Sequence, residues 1–271
     1  MSSSETVLRW PLQELTAALA PYWPEAQVEV LTETDSTNSE LMRRARAGRT
    51  APVLLIAETQ TAGRGRLGRH WQSGNGKAGS ALICSLGLPL APRDLSGLSL
   101  AVGLALAQAL HPDIALKWPN DLWWQGRKLA GILLETVGAG APARAQAARY
   151  VVIGFGINIA PLAAAGFATA PTWLQALLPG IDAPAALRRV AGPLARALRA
   201  FEHTGFAPLA AYFNARDALA GQPVQLSDGT QGVALGVDPS GMLRVRTPMG
   251  LREIASAEVS VRPLSLQEQV T

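Results

Sequence analysis

AGRGRLGRHW, residues 62–71, places glycines at 63, 65 and 68, the G-x-G-x-x-G spacing of a dinucleotide-binding turn. Taken at face value it would predict a doubly wound parallel sheet, with a helix N-terminus meeting a pyrophosphate straight after the turn. The residues between the glycines argue otherwise. Arg64, Arg66 and Arg69 crowd three guanidinium groups together, and the chain continues into WQSGNGKAGS, whose further glycines cannot start a helix. Without the helix there is no dipole to hold a phosphate. The stretch reads instead as an arginine-bearing cover that binds anions through side chains and orders around them. A solvated surface loop is the plain alternative.

Outward from this loop, the composition bounds the answer. A chain of 271 residues that is 48% hydrophobic can bury one large core and a small satellite domain. Its net charge of +4, from 24 basic and 20 acidic residues, suits anionic ligands but includes no basic run that would argue for DNA. Only Lys77, Lys117 and Lys128 are lysines, an arginine bias expected of a GC-rich genome. Cys84 stands alone, so no intrachain disulfide forms, and MSSSETVLRW lacks the basic and apolar regions of a secretory signal; a cytoplasmic protein is expected. The longest apolar segment, 98–110, is too short to span a bilayer.

Hydrophobic periodicity predicts helices at 10–19, 95–110, 172–178, 185–203 and 208–219, and one that starts at Asp35, Ser36 or Thr37 and ends at Gly48. In this last helix Thr37 and Glu40 have the spacing of a capping box. Strands are predicted at 28–31, 52–57, 80–88, 115–118, 122–124, 128–136 and 150–157, with 138–149 as a loose hairpin connection. The arginine loop therefore joins two buried strands. After Gly221 short strands alternate with Ser227-Asp228-Gly229, Asp238-Pro-Ser-Gly241 and Pro248-Met-Gly250, the pattern of a small β-barrel. The expected organisation is an N-terminal helical extension at 1–27, a catalytic domain at 28–220, a barrel at 221–264 and a tail at 265–271. The fold class is α+β. The tryptophans at 118, 123 and 124 are expected to pack in the core or an interface.

Two further stretches stand beside the loop: KWPNDLWWQGRKLAGILLE at 117–135 and GFGIN at 154–158. With TDSTN, GRGRLGRHW, KWPND, GRKLAGIL and GFGIN in that order, the sequence closely resembles the biotin protein ligases over about 29–263. The family's catalytic core resembles those of lipoate ligases and class II synthetases, on a mixed sheet, and is followed by an SH3-like barrel. The resemblance implies that biotin and MgATP form biotinyl-5′-AMP, and that a lysine of a biotin carboxyl carrier protein, as in acetyl-CoA carboxylase, then takes the biotinyl group. A lipoate- or octanoate-type acyltransferase and a biotin-sensing regulator are the competing readings. The first should lack KWPND with GRKLAG. The second needs a DNA-binding element, for which the residues before 28 leave no room.

The resemblance also implies roles. Ser36, Thr37, Asn38 and Gln60 match the residues that bind the ureido ring, where paired polar groups reject analogues that leave them unpaired. Gly63, Arg64, Gly65 and Arg66 match the biotin and phosphate loop. Lys128 matches the lysine on the carboxylate and α-phosphate, while Gly131 and Gly154 match positions where the backbone approaches the biotin chain. On the nucleotide side stand Arg66, Arg69, Lys117, Asn120 and Asn158, with Trp71 and Trp173 closing around the base. Asp121 matches the aspartate that meets the acceptor lysine, and is expected to lie across the site from Lys128 with a separable role. Arg64, Lys128 and Asp121 are thus the expected catalytic residues. No histidine or carboxylate cluster has metal spacing, so Mg²⁺ is expected on the ATP phosphates. GNGKAGSAL departs from the family's compact turn, which leaves Asn75 and Lys77 without assigned contacts.

Overall fold

The computed structural model describes residues 8–72, 75–137, 148–162, 169–255 and 261–264. Helix α1 (Leu12–Leu19) leads into strand β1 (Gln27–Thr34), helix α2 (Thr37–Arg46) and strand β2 (Val53–Gln60). Beyond the arginine loop come β3 (Ala81–Leu90), α3 (Leu98–Leu110), β4 (Ala115–Lys117), β5 (Asp121–Trp124), β6 (Arg127–Thr136) and β7 (Arg149–Asn158). These strands make one mixed sheet in the order β1-β2-β3-β7-β6-β5-β4. Strands β1 and β2 are parallel, as the α2 crossover between them requires, and all other pairs are antiparallel. The fold is α+β, and no dinucleotide-type parallel sheet forms.

Strands β3 and β7 read as continuous apolar runs because both faces of the sheet centre are covered. On one face, Leu82, Leu86 and Leu88 join α1, α3 and the 22-residue helix α4 (Ala183–Thr204) in the main core. On the other, Leu41, Met42 and Ala45 of α2 pack with Val53, Leu55, Tyr150 and Val152. Asp182 caps α4 by accepting from the Ala185 amide at 2.7 Å, and Gly205 at φ 64° ends it. Among the described residues, the opposite half of the second face carries no helix.

Several expectations need correction. The stretch predicted as a helix at 172–178 contains only a 3₁₀ turn, Leu174–Ala176, because residues 170–172 are drawn into pairing with Lys128: the Lys128 amide donates to Ala170 O and the Thr172 amide to Lys128 O. The helix predicted at 208–219 is a 3₁₀ turn followed by α5 (Ala210–Asn214) alone. It stops where Asn214 accepts from the Val237 amide and donates to Val237 O, and where residues 216 and 218 pair with Leu116. No capping box forms on α2 either. Ser36 is the N-cap, and the Glu40 carboxylate is taken by Arg43 and Arg44. The connection predicted at 138–149 lies mostly outside the described residues.

After Gly221 the strands β8 (Pro223–Leu226), β9 (Gln231–Val237), β10 (Leu243–Thr247), β11 (Gly250–Ile254) and β12 (Val261–Pro263) form an antiparallel sheet in the order β11-β10-β9-β8-β12. Its inner residues, among them Val224, Leu226, Val237, Leu243 and Val245, belong to the same apolar cluster as the main domain. The buried Trp118 indole donates to Gly241 O at 3.1 Å, which fixes a barrel turn beside KWPND. Among the described residues, no helix is long and apolar enough to cross a membrane.

Candidate functional site

The uncovered part of the sheet floors a cavity of about 620 Å³, a size suited to a small-molecule ligand. The N-terminus of α2 closes one end, the arginine loop forms a wall, the β4–β5 hairpin stands opposite, and Gln225, Ser227, Val261 and Arg262 of the barrel reach its rim. Each wall follows from local sequence. Ser36 accepts from the Ser39 amide and so starts α2 with Thr37 and Asn38 turned inward, all three buried. The Arg64–His70 bridge and the 3₁₀ turn Arg66–Gly68 fold the loop onto itself, with Leu67 in the left-handed region at φ 55°. Among the described residues up to β3, no α-helix follows the glycines.

At the α2 end the polar groups are already paired. Gln60 Oε1 accepts from the Thr37 amide at 2.8 Å and lies 3.2 Å from its hydroxyl. Ser85, fully buried on β3, lies 2.7 Å from both Thr37 Oγ1 and Asn38 Oδ1. Asn38 Nδ2 donates to Leu133 O and, at 2.9 Å, to Glu135 Oε2. Such a prepaired set fixes which way each donor and acceptor faces. Gly154 lines the cavity, and a Cβ on it would also sit 2.0 Å from Asn38 Oδ1, so its bareness makes room for that side chain as well.

The other end is cationic. Arg64, Arg66, Arg69, Lys117, Lys128 and Arg262 line it, and Asp121 is the one carboxylate among the described lining residues. Burial pushes the Lys117 ammonium below the ordinary lysine value; Asp121 offsets part of the effect, while Lys128, Arg69 and Arg66 add to it. Burial likewise lowers Arg66, with Asp121 opposing and Arg69 reinforcing. Lys117 Nζ lies 5.3 Å from the Trp123 ring, a second source of support for a desolvated cation. Several cations converging on one cavity make it attractive to an anion.

Lys128 Nζ stands 2.7 Å from Asp121 Oδ1, in ion-pair contact though not aligned as a hydrogen bond. This overturns the expectation that the two lie across the site from one another. Adjacent strands β5 and β6, with Trp123 opposite Lys128, bring them together. The Trp71 ring lies over the floor: a Cβ on Gly156 would be 2.6 Å from it and one on Gly131 3.1 Å, with Lys128 Nζ 5.5 Å above the indole.

Some expected residues stand apart from the ligand space. Trp173 and Gly63 are not among the lining residues, and a Cβ on Gly63 would strike Trp71 O at 2.4 Å, so Gly63 serves the loop's own closure. Asn120 and Asn158 line the cavity but turn their amides to backbone, Asn120 to Ile132 O at 2.8 Å and Asn158 to Thr172 O at 2.9 Å. Asn75 and Lys77 close a turn with Ser80 outside the cavity. Sequence reading missed Ser85, Glu135 and Gly156. A lone serine within ALICSL and a glutamate ending GILLE were the available signals, because polar groups inside apolar strands need partners.

Residues 29–158 match the biotin/lipoate A/B protein ligase family, and residues 220–262 match the biotin protein ligase C-terminal domain. The chain is 37% identical to the biotin--[acetyl-CoA-carboxylase] ligase of Paracoccus denitrificans, over 85% of this chain and 98% of that protein. It is 35% identical to the bifunctional ligase/repressor BirA of Escherichia coli, over 87% of this chain and 74% of the relative. The chain belongs to the biotin protein ligases. A solved structure of the Aquifex aeolicus family member, in complex with biotin and ATP, superposes with a TM-score of 0.72 at 27% identity and covers 88% of this chain and 99% of that one. Residues of the polar end and of the cationic end line the same cavity.

Proposed function

We infer that the protein is an ATP-dependent biotin ligase, which makes biotinyl-5′-AMP and transfers the biotinyl group to a lysine of a carrier protein. One observation carries this reading: a single cavity joins a prepaired polar pocket, built from Thr37, Asn38, Gln60 and Ser85, to a cluster of cations around Asp121. A ureido ring fits the first, and a carboxylate with a triphosphate fits the second.

In the first step a biotin carboxylate oxygen bonds to the α-phosphorus and the bond to the β-phosphate oxygen breaks, releasing pyrophosphate. Lys128, Arg64 and Arg66 bind the carboxylate and α-phosphate, where negative charge builds up. Fixed cations in a site shielded from water stabilise such charge without reorganising. Lys117 and Arg69 serve the outer phosphates, and Trp71 closes over the adenylate. In the second step the acceptor amine attacks the acyl carbon, the carbon–oxygen bond to phosphate breaks, and AMP leaves. Asp121 orients the incoming ammonium and takes its proton.

Among the described residues no group of three histidine, cysteine or acidic side chains could hold a metal alone. The magnesium ion we propose would arrive on phosphate oxygens and keep several waters, with Asp121 the one carboxylate among the described lining residues that could face it. Bound there, it would neutralise the triphosphate and ease departure of pyrophosphate. The acceptor we propose is a biotin carboxyl carrier protein, as in acetyl-CoA carboxylase, and the reaction is expected in the cytoplasm.

Pyrophosphate exchange into ATP tests the reading. Exchange should depend on biotin and stay at background with lipoate or octanoate. Exchange driven by either fatty acyl acid and not by biotin would assign the chain to the acyltransferase branch.

A further inference from the structure

Glu135 belongs to neither half of the site as assigned from sequence, yet it touches both. Its Oε2 accepts from Asn38 Nδ2 at 2.9 Å, and its Oε1 pairs with Arg64 at 3.0 Å. The other terminal nitrogen of Arg64 donates to Ser39 Oγ at 3.2 Å. An unbroken run of contacts thus links Thr37, Ser85, Asn38, Glu135 and Arg64, from the polar pocket to the anion loop. The Glu135 carboxylate is well shielded, at 19% exposed, whereas Arg64 is 49% exposed. The glutamate is anchored on β6, and the arginine is carried on the loop between β2 and β3, whose contact with the sheet is made further along by Trp71. Of the two partners, the arginine is the one free to leave.

We propose that Glu135 is a specificity-determining positioning residue: it fixes the orientation of the Asn38 amide and holds the Arg64 guanidinium until a ligand carboxylate displaces it. The proposal rests on the biotin reading above. A guanidinium presents its donor fork equally well to any carboxylate, so Glu135 and the carboxylate of the ligand compete for the same group. A neutral amide with the same ring offers Arg64 only one uncharged carbonyl acceptor, too little to displace a carboxylate from it. The glutamate then sets how strongly the site favours an acid over its amide, while the Asn38 contact affects both ligands alike.

Calorimetric titration of the full chain with biotin and with biotinamide, whose side chain ends in an uncharged amide, tests this. Glu135→Gln keeps an oxygen for Asn38 Nδ2 and removes the charge that binds Arg64. Its preference for biotin over biotinamide should rise by about threefold to fivefold, the scale of one partly exposed ion pair. Ser39→Ala, which loosens Arg64 without touching Asn38, should shift the preference the same way by a smaller factor. Adding Arg64→Ala to Glu135→Gln should abolish the gain. A preference left unchanged in Glu135→Gln, as a purely structural role would give, overturns the proposal, and so does a fall, which would mean that Glu135 aims Arg64 at the ligand. Wild-type protein that binds neither compound would overturn the biotin reading itself, and the proposal with it.

Discussion

Contact between Lys128 and Asp121 changes what single substitutions can be expected to do. Had the two residues stood apart, Asp121→Asn would leave adenylation untouched. Because Asp121 sits 2.7 Å from Lys128 and offsets the charge around Lys117 and Arg66, its loss also alters the cluster that receives the phosphates. Asp121→Asn should therefore slow transfer to the carrier by about a hundredfold, the scale of a lost general base, and also change pyrophosphate exchange by several-fold. Lys128→Ala should lower exchange by about a hundredfold or more and be partly rescued by supplied biotinyl-5′-AMP. Normal transfer from supplied adenylate in Asp121→Asn would place the aspartate with the nucleotide alone. A second residue acts through stability. Asp217, on the segment that pairs with Leu116, has Oδ2 buried with no donor among the described residues, and burial raises its carboxyl from the ordinary 3.8 to about 6. In that interval the folded state binds the extra proton, so its stability falls as pH rises from about 4 to about 6, by no more than about 3 kcal/mol. Melting curves of wild type and Asp217→Asn should diverge across this range, with the variant gaining as pH increases. Parallel curves would show that Asp217 ionises normally.

At the scale of elements, legibility followed how local the causes were. Strands β3 and β7 could be read from apolar runs because the centre of the sheet is covered on both faces, and β6 from the apolar residues of its packed face. The segments at 172–178 and 208–219 look helical by composition, but hydrogen bonds from Lys128, Leu116 and Val237 settle them, and those partners lie far away in sequence. The spacers made it legible that the arginine loop joins two strands and is no dinucleotide turn, whereas its footing on the sheet was not legible. That footing is the Trp71 ring lying against Gly156, a contact no motif spacing reports. Gly156→Ala would place a methyl 2.6 Å from the indole, so the ring and the loop must lift. The variant should expose Arg64, Arg66 and Arg69 to trypsin faster than wild type and weaken adenylate binding by about tenfold, the scale of a lost buried aromatic contact. Unchanged cleavage with unchanged binding would show that the loop does not depend on this contact.

For the whole molecule, the sequence changes character near residue 220, yet the apolar core runs across that point. Val224, Leu226, Val237 and Leu243 of the barrel share one cluster with α3, α4 and the sheet. Cutting the chain there would strip a face of that core, so truncation measures folding before it measures function. A smaller perturbation separates the two. Trp118, between Lys117 and the hairpin that carries Asp121, holds the barrel turn through Gly241 O, and the close fit of Gly241 against Gly97 shows how little slack this seam has. Trp118→Phe keeps an aromatic ring but leaves that carbonyl without its donor and opens a small void. The combined cost should be about 2–3 kcal/mol, or roughly 5–10 °C in melting temperature for a chain of this size. The polar pocket lies on the far side of the sheet centre and does not touch the seam, so biotin affinity should stay within about twofold. Gln225, Ser227 and Arg262 reach the cavity only through the barrel's position, so the apparent affinity for ATP should fall by several-fold more than that for biotin. An equal loss of both would mean that the seam supports the whole sheet, and that the barrel has no separate hold on the nucleotide end.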